Sequence, residues 1–136
     1  MAQLTHLTGS ALDREAVLAL YDSVGWSAYT KHPDTLMAGL AGSSTVVVAH
    51  DDGDLVGLAR VISDGATICY LQDVIVRPDH QRTGLGRELV TMALAPYESV
   101  RQKMLLTDDD AAQKAFYESL GYQQVEEPLR AFVRFD

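Results

Sequence analysis

The run Val74-Ile-Val-Arg-Pro-Asp-His-Gln-Arg-Thr-Gly-Leu-Gly-Arg-Glu88 constrains the fold more than any other part of the chain. Val74 to Val76 is a β-branched apolar run, Pro78 blocks its continuation, and the periodic apolar positions Leu85, Leu89 and Met92 begin only at the glycine pair. The pattern reads strand, loop, helix. Gly84 and Gly86 lack a Cβ, so the backbone there can take unusual φ values and let a bulky group approach its N–H groups.

A loop of this kind is suited to an anion. The first turn of the following helix adds unpaired donors and the positive end of its dipole, and Arg82 and Arg87 add full charges. The stretch Gln81, Arg82, Thr83, Gly84, Leu85, Gly86 and Arg87 is therefore predicted to hold a phosphate or pyrophosphate. A dinucleotide fingerprint would need a third glycine where Leu89 stands, and a P-loop would need Lys followed by Ser or Thr; neither is present.

At 136 residues the chain is long enough for one core and too short for two, so a single domain over 1–136 is expected. Nineteen Asp and Glu against eleven Lys and Arg give a formal net charge of -8, which repels nucleic acid and anionic membranes and tolerates a cationic or amine partner. The lone cysteine, Cys69, excludes an internal disulfide and reads as a small buried residue. With no basic segment leading a long apolar run, a cytoplasmic location is the default expectation. Asp51-Asp-Gly-Asp54 lacks the spacing of a calcium loop and reads as a solvated turn, so no metal is expected.

Leu4 to Leu7 is a candidate first strand, Ser10 to Asp13 reads as a capping box, and Leu12, Ala16, Leu20 and Val24 recur on one helix face ended by Gly25. Tyr21, Trp26 and Tyr29 then cluster around a turn, either as packing aromatics or as a wall of a binding site. Pro33, Leu36, Met37 and Leu40 predict a short helix before Gly42. Thr45–Ala49, Leu55–Ser63 and Ala66–Val76 predict an antiparallel meander with a tight hairpin at Asp64-Gly65. The helix after the glycines should end at Pro96, with a further helical turn over Tyr97–Lys103. Met104 to Thr107 then reads as a strand parallel to Val74–Val76. Asp108 to Asp110 should cap a helix with Ala112, Ala115, Phe116 and Leu120 on its apolar face, ended by Gly121. Val125 and Leu129–Phe135 read as closing strands, the last of them a surface on which a homodimer could pair.

The Gln81-x-x-Gly84-x-Gly86 pattern after a Val-rich strand resembles the acyl-CoA loop of the GNAT superfamily of N-acyltransferases, and Ala115-Phe-Tyr-Glu-Ser-Leu-Gly-Tyr122 resembles the helix end where such enzymes carry a Tyr beside the thioester sulfur. The resemblance covers nearly the whole chain in element order. It implies an α/β (α+β) fold: a mixed central sheet of about six or seven strands, an antiparallel N-terminal meander, a parallel pair at the cofactor cleft and helices on both faces. It also implies acetyl-CoA as cosubstrate and direct acetyl transfer to a primary amine through a tetrahedral intermediate, with a small-molecule amine favoured and a peptide amine as the other option.

By the same resemblance Tyr117 protonates the leaving thiolate, a role a neutral phenol can fill. Val74, Ile75 and Val76 hold the pantetheine arm as an added strand, and Phe116 and Asp110 belong to the cofactor side. Asp110 and Gln113 depart from the pattern, which usually has Asn and Ala there. Trp26, Tyr29 and Gln72 are the implied acceptor-side residues. Asp73, beside the expected acetyl position, is the candidate base for an ammonium whose pKa is about 10.4; its structural alternative is a carboxylate paired with a backbone amine or Arg60. Strand alternation would keep Gln72 and Asp73 on opposite faces unless a bulge intervenes. The rival function is a non-catalytic acyl-CoA-binding or sensing module of the same fold.

Overall fold

The computed structural model describes residues 2–7 and 11–136, which divide into two compact units, Met1–Leu105 and Leu106–Asp136. The first unit holds a five-stranded sheet in the order β1-β2-β3-β4-β5, with β1 at Gln3–Leu7, β2 at Thr45–Asp51, β3 at Asp54–Ser63, β4 at Ile68–Val76 and β5 at Gln102–Leu105. Strands β1 to β4 pair antiparallel, and β4 pairs with β5 in parallel, so the expected meander and parallel pair are both present.

Helix α1 (Arg14–Ser23) starts at Asp13, whose carboxylate accepts from Ala16 N–H at 3.0 Å. The cap is thus Asp13; the start of the expected capping box, Ser10, lies outside the described residues. Gly25, at φ +77°, ends the helix, with Trp26 N–H donating to Tyr21 C=O at 3.1 Å. A short α2 (Ser27–Thr30) follows where only a turn was expected, then α3 (Pro33–Ala41) with its proline at the start.

Apolar residues of α1 and α3 (Val17, Leu20, Leu36, Leu40) pack with Val46, Val48, Leu58 and Ile75 on one face of the sheet. On the other face lies α4 (Leu85–Leu94). It crosses so close to β3 that a Cβ on Gly57 would sit 2.9 Å from Leu89 Cδ1, so a side chain at position 57 would force Leu89 to shift. Cys69 is buried, as expected of a small apolar residue.

Several boundaries differ from expectation. The β3–β4 connection is a wider loop, because Asp64 accepts from the N–H groups of Ala66, Thr67 and Ile68 and delays the strand to Ile68. A 3-10 turn at Ala95–Tyr97 replaces the longer helical turn, and β5 starts at Gln102. The second unit contains α5 (Ala111–Ser119), capped by Asp110 through Ala112 N–H at 2.8 Å and followed by Gly121 at φ +95°. The expected closing strands do not form: Val125 and Leu129–Phe135 are irregular, with Phe132 94% exposed, and residues 106–136 contain no strand for them to pair with. β-propensity depends on context more than on the residues themselves, and among the described residues the sheet has five strands, not six or seven.

Candidate active site

Beyond Val76 the chain leaves the sheet with Arg77 N–H still bonded to Val56 C=O at 2.8 Å, then makes a 3-10 turn at Pro78–His80. Two residues turn left-handed before α4, Arg82 at φ +62° and Gly84 at φ +86°. Gly84 is the N-cap of α4 and supplies no side-chain acceptor, so the helix starts without a capping side chain. A Cβ at Gly84 would meet no protein atom within 4 Å, so the space in front of it is open. Gly86 lies in the first turn of α4 with ordinary helical geometry; of the two glycines, only Gly84 uses the left-handed region.

The loop's own side chains hold its backbone in place. Gln81 Nε2 donates to Val76 C=O at 3.0 Å, and Thr83 Oγ1 donates to His80 C=O at 2.7 Å. At the base of the loop Arg77 makes a two-point contact with Asp79 at 2.7 and 3.0 Å. The His80 ring bridges Asp79 at 2.8 Å and Asp51 of β2 at 2.7 Å. The bonds from Arg77 and His80 hold the Asp79 carboxyl down to about 2, and the two carboxylates raise His80 above its ordinary value.

The parallel ladder between β4 and β5 ends at Leu71 and Leu105. Past that point the β5-facing edge of Gln72, Asp73, Val74, Ile75 and Val76 has no strand partner among the described residues. The same place carries a bulge on the β3 side: Arg60 pairs with Asp73 and Val61 with Leu71, which leaves Gln72 as the extra residue.

That bulge brings Gln72 and Asp73 to one side chain. Tyr29 Oη donates to Asp73 Oδ1 at 3.0 Å and receives Gln72 Nε2 at 2.9 Å. Asp73 Oδ2 accepts from Tyr21 Oη at 2.9 Å and from Arg60 Nε at 2.6 Å, in a buried ion pair with Asp73 2% exposed. Burial and then the charge of Asp73 push both phenols up, that of Tyr21 far above its ordinary range. Burial pulls Arg60 down, but the charge and hydrogen bond of Asp73 outweigh it and leave the guanidinium raised. Trp26 packs beside both rings, its centroid 5.9 Å from Tyr21 and 6.1 Å from Tyr29.

Next to this cluster lies a cavity of about 450 Å³ lined by Tyr29, His32, Thr35, Leu36, Gly39 and Arg60, among others. The structure brings Tyr29, Gln72 and Asp73 together with Tyr21 and Arg60, and Trp26 packs against the two tyrosines. His32, Thr35 and Gly39 carry no local motif and were not singled out for the site. Arg60 did leave a signal, a single charge inside the apolar run Leu55–Val61, which requires a buried partner.

In the second unit Tyr117 is half-buried between aromatic neighbours, 5.0 Å from the Phe116 ring and 6.1 Å from that of Tyr122. Tyr122 N–H closes the helix end on Tyr117 C=O at 3.1 Å. The Asp110 carboxylate is engaged as the cap of α5, which is the work done by the residue that departs from the usual Asn.

Residues 42–124 match the family model described as the acetyltransferase (GNAT) domain, more than half of the chain. The chain belongs to the GNAT acetyltransferase family. A Gibberella zeae protein carrying an acetyltransferase name is 35% identical over 94 residues, which are 67% of this chain and 51% of that protein; the chain spans about half the length of this curated relative. A GNAT-family acetyltransferase of Streptococcus pneumoniae has the same fold throughout, at 28% identity and a TM-score of 0.88, covering 100% of this chain and 98% of that one. An aminoglycoside N-acetyltransferase solved in complex with CoA shares the fold at 13% identity and a TM-score of 0.73, over 99% of this chain and 96% of its own.

The GNAT match begins at Gly42, just after α3. The loop, the bulge, Arg60 and Asp73 fall inside it, whereas Tyr21, Trp26, Tyr29 and most of the cavity wall fall outside. The matched segment therefore says nothing about the half of the cluster contributed by α1 to α3.

Proposed function

We propose that this chain is an acetyl-CoA-dependent N-acetyltransferase acting on a primary amine, a small-molecule amine in the first instance. The observation that carries the reading is the continuity of two donor surfaces. The edge of β4 over Gln72–Val76, without a strand partner among the described residues, leads through the 3-10 turn to the left-handed Gly84 and the start of α4. An amide-rich arm can pair with the strand edge as an added strand, and a diphosphate fits the N–H groups and dipole of the helix start. The residues present fit this cosubstrate: the approach to Gly84 is open, and Gln81 and Thr83 stiffen the loop without filling it. CoA in the aminoglycoside enzyme of the same fold supports the choice.

When bound, the cosubstrate supplies an acyl thioester that an amine can attack. Val74, Ile75 and Val76 would hold the arm, and Arg82, Gly84, Leu85, Gly86 and Arg87 the diphosphate end. Tyr117 is the proposed acid: its neutral phenol donates a proton to the departing sulfur. We assign Asp73 a positioning part in place of the basic one. Accepting a proton would leave Arg60 without its counter-charge in a buried site, which is strongly unfavourable. The acceptor amine belongs with the cavity beside Tyr29, in keeping with the acidic balance of the chain.

Thiol release from acetyl-CoA across polyamines, arylalkylamines, amino acids and peptide amines tests the reading, with Tyr117→Phe beside the wild type. Turnover of at least one amine, reduced in the variant while acetyl-CoA binding persists, is the expected result. Binding of acetyl-CoA without turnover of any amine would instead identify a non-catalytic acyl-CoA module.

A further inference from the structure

The polarity of the Tyr29 hydroxyl is fixed by its neighbours. Asp73, ion-paired with Arg60, can only accept, so the contact of 3.0 Å between Tyr29 Oη and Asp73 Oδ1 takes the phenol's single proton. Gln72, 2.9 Å from the same oxygen, must then present its N–H, which occupies one lone pair. One lone pair remains, and no proton. Whatever meets this oxygen has to bring a hydrogen.

Two further observations bear on that oxygen. The bulge at Gln72 is what lets consecutive strand residues grip one atom, so the arrangement is built into the sheet register. Tyr29 is half-buried and lines the cavity of about 450 Å³ together with Thr35, Gly39 and Arg60, so its ring faces a space that a ligand can enter. Burial and the charge of Asp73 both raise the phenol, which keeps it protonated and rules it out as a proton acceptor in the reaction.

We propose that the Tyr29 oxygen receives an N–H of the acceptor amine and orients its nitrogen, and that Gln72 and Asp73 fix this polarity, so that this oxygen favours amines over neutral groups bearing only acceptors. The assignment rests on the transferase reading. It names Tyr29 as the amine-orienting residue and the amine N–H as the group recognised. An ammonium and a neutral amine both offer hydrogens to this oxygen, and the charge of Asp73 is offset by its ion pair with Arg60. An ether or carbonyl meets a lone pair at this oxygen and gains no hydrogen bond there.

The test uses the amine of the panel turned over fastest, and the methyl ether of the alcohol in which that amine's nitrogen is replaced by oxygen. Steady-state kinetics and acetyl-CoA calorimetry are run on the wild type, Tyr29→Phe and Gln72→Leu. Tyr29→Phe should raise the amine KM by about tenfold or more, with acetyl-CoA affinity within about twofold of wild type. Gln72→Leu leaves Asp73 holding the phenol proton, so its amine KM should rise by less than about threefold. In the wild type the ether should inhibit at least about tenfold more weakly than a second, non-identical amine of the panel competes. An amine KM in Tyr29→Phe within about twofold of wild type, or equal losses in amine and acetyl-CoA terms, overturns the assignment while leaving the transferase intact. An ether that competes as well as an amine overturns it on the wild type alone, even should the variants fail to fold. No turnover of any amine by the wild type sinks the transferase reading and this assignment with it.

Discussion

The glycine loop and the Asp73 cluster are neighbours along β4, and they present opposite kinds of surface. The loop offers backbone: Gln81 and Thr83 are turned inward onto carbonyls, and the start of α4 has no capping side chain. The cluster offers side chains gathered from α1, α2, β3 and β4 around one carboxylate. A backbone cradle suits a ligand part shared by every reaction of a family, since almost any sequence can supply N–H groups once the φ values are met. A side-chain cluster suits discrimination, because changing one member changes what the others can donate or accept. The difference between them predicts how each should fail.

Asp73→Ala should have the largest effect, on folding before function. It strips the counter-charge from Arg60 and the acceptor from Tyr21 and Tyr29, and a loss of about 3–5 kcal/mol in urea unfolding is expected. A loss below about 1 kcal/mol would mean that the cluster is not holding α1 and α2 to the sheet.

Gly84→Val should act on the ligand before the fold. Its φ of +86° makes a β-branched residue strained by about 1–2 kcal/mol, while the open space around it spares any internal clash. Calorimetry should show acetyl-CoA affinity falling by about tenfold or more as the side chain enters the approach path. Unchanged affinity in a folded variant would sever the loop from the cosubstrate.

A smaller effect is expected of pH at the loop's base. His80 is raised above its ordinary value of 6.5 by Asp79 and Asp51, so its bridging contribution is complete below about pH 6.5 and is lost as pH rises through the raised value. Thermal midpoints of the wild type should therefore decline as pH rises above about 6.5 relative to His80→Gln, whose amide does not titrate. Parallel pH profiles would show that the bridge from β2 to the loop carries no stability.

Gln81→Ala should be the mildest. It removes one exposed hydrogen bond to Val76 C=O, worth about 0.5–1.5 kcal/mol, and should weaken acetyl-CoA a few-fold by loosening the loop. An effect as large as that of Gly84→Val would indicate that Gln81 touches the ligand directly.

The loop was legible in the sequence because its determinants are contiguous: Pro78 ends the strand, Gly84 takes the left-handed turn, and Leu85, Leu89 and Val90 bury the face of α4. The helix cap at Asp110 follows the same local logic, whereas the first helix is capped by Asp13, the last residue of the expected box. The cluster was legible only in part. Trp26, Tyr29, Gln72 and Asp73 stood out one by one, but their joining depends on a bulge at Gln72, a register detail with no local signature. Arg60 and Asp73 meet because cross-strand register aligns them, and Tyr21 reaches the same carboxylate from a helix 52 positions away. The closing strands are a related case: the β-prone residues over Leu129–Phe135 describe a capacity to pair, and β-propensity is decided by context that the segment does not carry.

The most direct measurement is a crystal structure of the chain with acetyl-CoA. The account predicts the diphosphate on the N–H groups between Arg82 and Arg87, with the arm hydrogen-bonded along the open edge of Val74–Val76. A diphosphate lodged away from Gly84, or a β4 edge left bare while the carrier binds elsewhere, would contradict it.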